Sequence, residues 1–523
     1  MALYTSGRAR RSLIDTIGFR ILSQIATVLG YVVLVRGMTK EDFGAFNLLY
    51  SFIPVVSTVA SLGLEQTLRR YQPEYLSQGN ATAAAWLVRF VGSARFGANV
   101  ALLILIVLSW NQVAPLFKLT PYRAEFLILC LLLLLHFQAR ILELALAGHM
   151  LQRFSVGATA VIATAKLLGY GLLVASDSLT IVRALGTDIV AYGLAYTGLL
   201  VAYRRYCVPS DSRAPYRPDR NERRRLLRYG MYNNFNDAGT LFLDSKTDNF
   251  FIAAILDTAS VGIYAFYTRL NAMLQNILPA RFFQSVVQPL FFAVPAAEAD
   301  RKLPQYFSLL VNLNMLWQMP ILTYAAVYHS EIVEVVFGGQ FLEHSWMLPL
   351  ILALATCNVF EWPVTLVAQY QEKAATMLFS KVFALYNIAA LMLLIPAMGV
   401  AGAAIASGSA QVMKYAFIWW RVRRLARWTN AVVALATCVV VWGAVAIACQ
   451  VAKRILPDAA LLQLGLGSVA VAVGMIVHLR GPGLSAADRR ILATLLAGKE
   501  SRALRWIGLL QRRQESDALG RAG

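Results

Sequence analysis

Charged side chains inside apolar stretches are the residues of this sequence that could do chemistry. The stretch from Asn236 to Leu270 holds four of them, namely Asp244, Lys246, Asp248 and Arg269. A charge at the centre of a membrane helix costs about 2.5 to 3.5 kcal/mol on insertion scales, so such a residue usually has a partner or a task. On one continuous helix Asp244 and Asp248 share a face, where two like charges oppose joint ionisation. Two interpretations follow: a site of ion coupling, or an ion pair that locks neighbouring helices.

The elements that must position these charges are long apolar segments. Hydrophobic residues make up 58% of the chain and charged residues only 15%, which is typical of a polytopic membrane protein. We predict an all-α fold with one spanning helix for each apolar run of about 20 residues, the length that crosses the hydrocarbon. The predicted spans are 15–35, 44–64, 87–109, 124–147, 156–176, 182–203, 229–253, 260–283, 305–328, 346–369, 375–395, 400–420, 430–451 and 461–479.

The basic residues of the connections predict the orientation in the membrane. With a cytoplasmic N-terminus the inner loops hold most of the arginines, including nine between Arg204 and Arg228. This asymmetry predicts that both termini are cytoplasmic, and it accounts for most of the net charge of +20 without nucleic acid binding. The first apolar run lacks a small-residue cleavage site, so we expect a first span and no removed signal peptide.

The longest hydrophilic connection divides the spans into two sets of six. We predict an N-lobe at 1–208, a basic linker at 209–228, a C-lobe at 229–428, two extra helices at 429–480 and a basic amphipathic cytoplasmic tail at 481–523. Phe43 to Phe46 (FGAF) has an echo in Val261 to Tyr264 (VGIY), 218 residues later. An even number of spans in each half predicts repeats related by an axis along the membrane normal.

Five motifs carry a resemblance to a known family. The sequence resembles the polysaccharide flippases of the multidrug/oligosaccharidyl-lipid/polysaccharide exporter superfamily in RGMTKEDFGAF (36–46), GLEQTLRRYQP (63–73), DNFFIAAILDTASVGIY (248–264), VFGGQF (336–341) and LIPAMGVAGAAIA (394–406). It departs from the pattern at Ala253 and Ala254, where the family often has a glycine. The resemblance implies a two-lobed transporter of a polyprenyl diphosphate-linked oligosaccharide repeat unit. That unit would move from the cytoplasmic to the outer leaflet of the bacterial inner membrane by alternating access, for cell-surface polysaccharide synthesis. The implied partners are the lipid-linked oligosaccharide, membrane lipids, and the polymerase and chain-length regulator of the same pathway.

A substrate of this kind carries a diphosphate, which arginine and lysine side chains bind well in a low dielectric. We therefore predict a cationic cavity, with candidates Arg269, Lys166, Arg140, Arg95, Arg20 and Lys381. The alternative is that cationic residues in the cytoplasmic half of the membrane only extend their side chains to the membrane interface. This alternative is favoured for Arg20 and Lys414. His136, Arg140 and Glu143 fall on one face of the fourth span, so Arg140 and Glu143 could neutralise each other. Lys166 has no acid within one turn and needs a partner from another helix, water or substrate.

The candidates for ion coupling are Asp244, Asp248 and Glu361, the last in the middle of the tenth predicted span. Phosphate-loop, HExxH and GxSxG motifs do not occur in the sequence, and the five histidines and five cysteines are dispersed. We therefore expect a protein that is not an enzyme, with no cofactor and no metal site. Two alternatives stay open: a small-molecule antiporter of the same superfamily, and a membrane polysaccharide polymerase or glycosyltransferase.

Overall fold

A computed structural model describes residues 6–208, 216, 218–241, 243–277, 291–292, 294–455 and 459–495. Helices dominate this part of the chain and no strand occurs in it, which confirms the predicted all-α class. Ten helical segments in it are long and apolar enough to cross a membrane. They coincide with ten of the fourteen predicted spans. The other four, 229–253, 260–283, 305–328 and 400–420, fall on helices that are not among those ten segments, and residues 278–283 lie outside the described part of the chain.

The helices of the N-terminal half are joined by short turns. They are α1 Ser6–Gly37, α2 Lys40–Tyr50, α3 Phe52–Ser61, α4 Leu64–Ser77, α5 Ala81–Leu108, α6 Trp110–Leu116, α7 Arg123–Gly148, α8 Gln152–Ala175 and α9 Ile181–Tyr206. After the basic connection come α10 Arg220–Leu241, α11 Ser245–Ile255 and α12 Thr258–Ile277. The predicted span 229–253 is therefore two helices, because the chain turns between Leu241 and Ser245.

The C-terminal half begins with the longest helix of the described chain, α13 Ala299–Phe337. It is followed by α14 Met347–Ala355, α15 Asn358–Tyr370, α16 Ala374–Phe379, α17 Val382–Met398, α18 Val400–Val422, α19 Ala431–Ile455, α20 Ala460–Arg480 and α21 Ala486–Leu495. The backbone of α13 is non-helical at Tyr328 (φ −115°, ψ 23°), eight residues after Pro320.

The chain divides into two compact units. Unit 1 comprises Met1–Ala265 and Leu391–Val400, and unit 2 comprises Phe266–Ala390 and Ala401–Gly523. In unit 1, α8 packs along α1 and α9, while α4, α5, α7 and α9 share an apolar core that includes Leu68, Val91 and Leu199. In unit 2, α13 packs against α15, α19 and α20. The predicted lobe boundaries at 208 and 229 stay a prediction.

Two glycines of the predicted repeat meet directly in unit 1. A Cβ atom added to Gly44 would lie 1.8 Å from the carbonyl oxygen of Thr258 and 3.0 Å from the backbone nitrogen of Gly262. A Cβ on Gly262 would likewise lie 2.7 Å from the carbonyl oxygen of Lys40. These distances are shorter than real Cβ contacts, so α2 and the start of α12 touch through bare backbone. The FGAF and VGIY motifs are thus two sides of one helix crossing.

Gly44→Ala should destabilise the protein, because the added methyl group has no room and overpacking costs about 1 to 3 kcal/mol. Gly193→Ala is the matched control, since a Cβ there meets nothing within 4 Å. That change should instead stabilise α9 by about 0.5 to 1 kcal/mol. The measurement is thermal unfolding of both variants in the same detergent. Equal shifts in the two midpoints would contradict the close helix crossing.

Candidate functional site

The interior of unit 1 holds two groups of charged side chains. In the first, Arg95 of α5 forms an ion pair with Glu65 of α4. Arg95 is 0% exposed, and its Nη2 donates a hydrogen bond of 3.2 Å to the Ser57 hydroxyl. Its guanidinium lies 4.9 Å from the centroid of the Phe137 ring. Arg95 is therefore enclosed by an acid, a hydroxyl and an aromatic face.

Arg140 of α7 extends this group towards solvent. Its Nη1 lies 2.9 Å from Glu143 Oε2, and its Nε lies 3.9 Å from Glu65 Oε2. The Arg140 and Glu143 pairing that the sequence offered as an alternative is thus present. Two arginines and two carboxylates balance each other's charge, but the Arg140 side chain is 41% exposed. Arg140 is the cation of this group that a ligand can reach.

The second group is centred on Lys166 of α8. Its Nζ lies 2.9 Å from Oδ1 of Asp188 on α9, so the partner comes from another helix, as one sequence alternative stated. Asp188 is 0% exposed and also accepts a hydrogen bond of 2.5 Å from the Tyr170 hydroxyl. The ammonium lies 5.5 Å and 5.2 Å from the ring centroids of Tyr50 and Tyr192. Two aromatic faces and one carboxylate therefore surround a side chain that is 20% exposed.

Polar atoms near both groups have no hydrogen-bond partner among the described residues. They are Nδ2 and Oδ1 of Asn99, Nδ1 of His136 and Oδ2 of Asp188. Asn99 follows Arg95 by one turn of α5, and His136 precedes Arg140 by one turn of α7. The His136 ring also lies 5.0 Å from the Tyr192 ring of the second group. Buried polar atoms left without a protein partner commonly bind water or a polar ligand. These atoms lie on α5, α7 and α9, three of the helices that carry the two charged groups.

Asp244 and Asp248 have different environments in the structure. Asp244 lies between α10 and α11 with extended backbone (φ −86°, ψ 130°), and its exposed side chain caps α11 by accepting from the Lys246 N–H at 2.9 Å. Asp248 is buried and accepts a hydrogen bond of 2.6 Å from the Tyr264 hydroxyl. The premise that both acids share one helical face is wrong, because the helix begins only after Asp244. Asp248 instead connects α11 to α12.

The structure does not bring the other predicted residues into these two groups. Arg20 is exposed on α1, and Arg269 is exposed on the part of α12 that belongs to unit 2. Lys381 is half-buried in unit 2. Glu361 of α15 is exposed and lies close to Tyr415 of α18, also in unit 2.

Two acids that complete the site were not recognised from the sequence as partners of the buried cations. Glu65 lies in the GLEQ motif just after α3, and Asp188 lies in an apolar segment. Their positions gave a signal, since an unexplained acid in an apolar segment needs a cation. The missing information was which helices are neighbours.

Comparison with known proteins bears on the fold and the family. A family model described as polysaccharide biosynthesis protein matches residues 33–346. The chain belongs to this family. The membership confirms the resemblance to polysaccharide flippases in its broad form.

The chain is 24% identical over 333 residues to the probable low-salt glycan biosynthesis flippase Agl15 of Haloferax volcanii. The match covers 62% of the chain and spans 64% of the length of that relative. Its fold is similar to the lipid II flippase MurJ in an inward closed conformation, with a TM-score of 0.66, 12% identity, and 90% of this chain and 98% of that chain covered. It is also similar to an inward-facing multidrug resistance MATE family transporter of the MOP superfamily, with a TM-score of 0.63, 12% identity and coverage of 77% and 95%. At these identities the likeness shows the fold alone, that of a polytopic membrane protein.

Asp188→Ala should destabilise unit 1 strongly, because Lys166 would keep its charge in a largely buried place. Removing one partner of a buried ion pair costs about 3 to 5 kcal/mol, whereas replacing both with apolar residues of similar size is often close to neutral. The double variant Lys166→Met, Asp188→Leu should therefore unfold at a higher temperature than Asp188→Ala. Glu74→Ala, which breaks the exposed pair with Arg70, is the control and should cost about 0 to 1 kcal/mol. A double variant no more stable than the single one would contradict the pairing.

Proposed function

We propose that the protein moves a polyprenyl diphosphate-linked oligosaccharide repeat unit from the cytoplasmic to the outer leaflet of the bacterial inner membrane. It acts in cell-surface polysaccharide synthesis and works by alternating access. Membership of the polysaccharide biosynthesis family supports the pathway, and the relative named as a glycan biosynthesis flippase supports the type of transport. The observation that carries the proposal is the pair of partly accessible cations, Arg140 and Lys166, inside a fold of spanning helices.

The substrate diphosphate binds where its phosphate oxygens replace or share the carboxylate partners of the site's cations. Arg140 has one strong and one long contact to carboxylates, at 2.9 Å and 3.9 Å, and so keeps donors for a phosphate oxygen. Arg95 does not contact the substrate, because it is fully buried, but it holds Glu65 in place beside Arg140. A cation that already has a carboxylate partner gains less from a phosphate than an unpaired one would. Such moderate binding suits a transporter, which must release its substrate on the other side.

Lys166 contributes a second contact. Its ammonium donates to the Asp188 carboxylate at 2.9 Å and to the Tyr50 hydroxyl at 3.4 Å, and a phosphate oxygen would reach it through the 20% of the side chain that is exposed. The aromatic faces of Tyr50 and Tyr192 beside it suit the apolar face of a sugar ring. Arg269, Arg20 and Lys381 would act at other stages of the transport cycle. Transport needs no covalent chemistry, so the protein is proposed not to be an enzyme.

Coupling to an ion gradient is proposed to use Asp248 and Glu361 rather than Asp244. Asp248 is buried and accepts a hydrogen bond from the Tyr264 hydroxyl, and Glu361 lies close to Tyr415 of α18. A change in protonation at either acid would alter a contact between two helices. Asp244 has a capping role that explains its charge without coupling.

The cellular setting follows from the same proposal. Both termini are cytoplasmic, the partners are the lipid-linked oligosaccharide and membrane lipids, and the polymerase and chain-length regulator of the pathway take over the product. A small-molecule antiporter is the second candidate, because the fold is also similar to a multidrug transporter. Uptake of cationic drugs by proteoliposomes distinguishes the two.

Arg140→Ala should reduce transport at least tenfold, since a charge-assisted contact to phosphate contributes more than about 1.4 kcal/mol, the equivalent of a tenfold change. The measurement is flipping of a fluorescent lipid-linked oligosaccharide by purified protein in liposomes, normalised to folded protein. Arg269→Ala and the charge-free double variant Lys166→Met, Asp188→Leu test the other candidates. The control is Arg123→Ala, at an exposed arginine in the first turn of α7. Unchanged flipping in all three test variants would overturn the cationic site.

An amide has nearly the same size as the acid that it replaces but does not ionise. Asp248→Asn and Glu361→Gln should therefore each reduce the stimulation of transport by a proton gradient. The measurement is the flipping rate with and without an imposed pH difference across the liposome membrane. Asp177→Asn is the matched control at an exposed turn, where the positive φ of 47° suits asparagine. An unaltered response to the gradient in both variants would leave these acids with structural roles only.

A further inference from the structure

An open groove lies in unit 1 on helices that connect the spans. It has a volume of about 600 Å³ and is lined by Tyr71, Asn221, Arg224, Arg225, Arg228 and Tyr229. Its two walls are α4, which follows the second candidate span, and α10, which follows the sixth. Two even-numbered spans end on the same side of a membrane. The groove is therefore expected at one membrane surface, at the level of the lipid headgroups.

Close backbone contact fixes the two walls relative to each other. A Cβ added to Gly63, at φ +67°, would lie 1.7 Å from the carbonyl oxygen of Gly230, so α4 and α10 approach through bare backbone. The Thr67 hydroxyl hydrogen-bonds at 3.3 Å to the Leu226 carbonyl oxygen across the same contact. The rings of Tyr71 and Tyr229 meet edge to face at 5.5 Å. The lining side chains thus stand on a rigid base.

The acid next to the groove is already occupied. Glu222 accepts a hydrogen bond of 2.5 Å from the Tyr75 hydroxyl at Oε1 and one of 2.6 Å from the Tyr216 hydroxyl at Oε2. Removal of water from around the phenol and its hydrogen bond to Glu222 raise the pKa of Tyr216 to about 12, which keeps the hydroxyl a donor even in mildly alkaline solution. Both carboxylate oxygens of Glu222 therefore accept a hydrogen bond from a tyrosine hydroxyl.

The arginines of the groove keep their positive charge available. Arg224 and Arg225 are exposed, and neither forms an ion pair within the part of the chain that the structure describes. The Arg225 guanidinium lies 5.0 Å from the centroid of the Tyr71 ring. This contact holds the guanidinium over the Tyr71 ring at the groove wall. No acidic side chain is among the lining residues, so the groove has a positive potential.

We propose that this groove binds the phosphate of a membrane lipid headgroup. Arginine forks match phosphate oxygens, the Asn221 amide adds a donor, and the rings of Tyr71 and Tyr229 suit the sugar or glycerol attached to the phosphate. Small-molecule sites have volumes of about 300 to 1,000 Å³, and the volume of this groove lies within that range. It is larger than a single phosphate needs. None of the lining residues belongs to the two charged groups around Arg140 and Lys166, so binding here is tested independently of transport. The same chemistry has two sources, an isoprenoid diphosphate or an anionic glycerophospholipid.

The experiment uses the full chain in nanodiscs of phosphatidylcholine. In one arm farnesyl diphosphate is titrated by calorimetry, with empty nanodiscs as the blank. In the other arm phosphatidylglycerol is included, and lipid retained by the protein is measured by native mass spectrometry. The variants are Arg224→Ala, Arg225→Ala as a double change, and Arg224→Lys, Arg225→Lys, which keeps the charge. The matched control is Arg423→Ala, Arg427→Ala, which removes two exposed arginines from a connection in unit 2.

The alanine double variant should bind one of the two lipids at least tenfold more weakly, with the lysine variant between it and the unchanged protein and the control unaffected. Loss in the first arm identifies an isoprenoid diphosphate, and loss in the second identifies a glycerophospholipid. Equal binding by the groove variant and the control in both arms would overturn the proposal. Equal losses in both variants would also overturn it, because they would reflect overall charge. Matching unfolding temperatures establish that the variants are folded.

Discussion

The organising constraint of unit 1 is that a charge removed from water must find its partner inside the protein. Lys166 meets Asp188 across α8 and α9, and Arg95 meets Glu65 across α4 and α5. Desolvation of each ion is costly, and only a well-placed opposite charge with further hydrogen bonds offsets it. Neighbouring helices are therefore held in one register by these pairs. Arg140, which pairs with Glu143, and Lys166 stay partly accessible, so the arrangement that stabilises the interior also presents two of its cations.

Close backbone contacts provide the second determinant of this arrangement. Gly44 and Gly262 allow α2 to touch α12, while Gly63 and Gly230 allow α4 to touch α10. In a membrane the hydrophobic effect does not drive helices together, so packing between small residues takes over that role. The first contact joins the two halves of a predicted repeat. The second builds the base of the arginine groove, so one physical device positions two different parts of the molecule.

The break at Asp244 could not be recognised from local sequence alone. The span predicted at 229–253 combined two helices, because the apolar residues on both sides of Asp244 concealed a break. Asp is a favoured helix N-cap residue, and its side chain does accept from the backbone of α11. Capping and membrane burial make opposite demands on an aspartate. The sequence at this position is compatible with a buried helical residue and with an N-cap. In the structure Asp244 is exposed and caps α11.

The sequence alone determined the all-helical class, ten of the membrane-crossing segments and the family, because hydrophobic length and motif order are local properties of the chain. It also offered the Arg140 and Glu143 pair as one alternative, since residues three apart on a helix are neighbours, and the structure contains that pair. Only the tertiary structure decided that Asp188 neutralises Lys166, that Glu65 serves Arg95, and that Tyr71 and Arg225 share a groove. These partners lie between 22 and 154 residues apart. Contacts over such separations depend on which helices pack together, and that is a property of the whole fold.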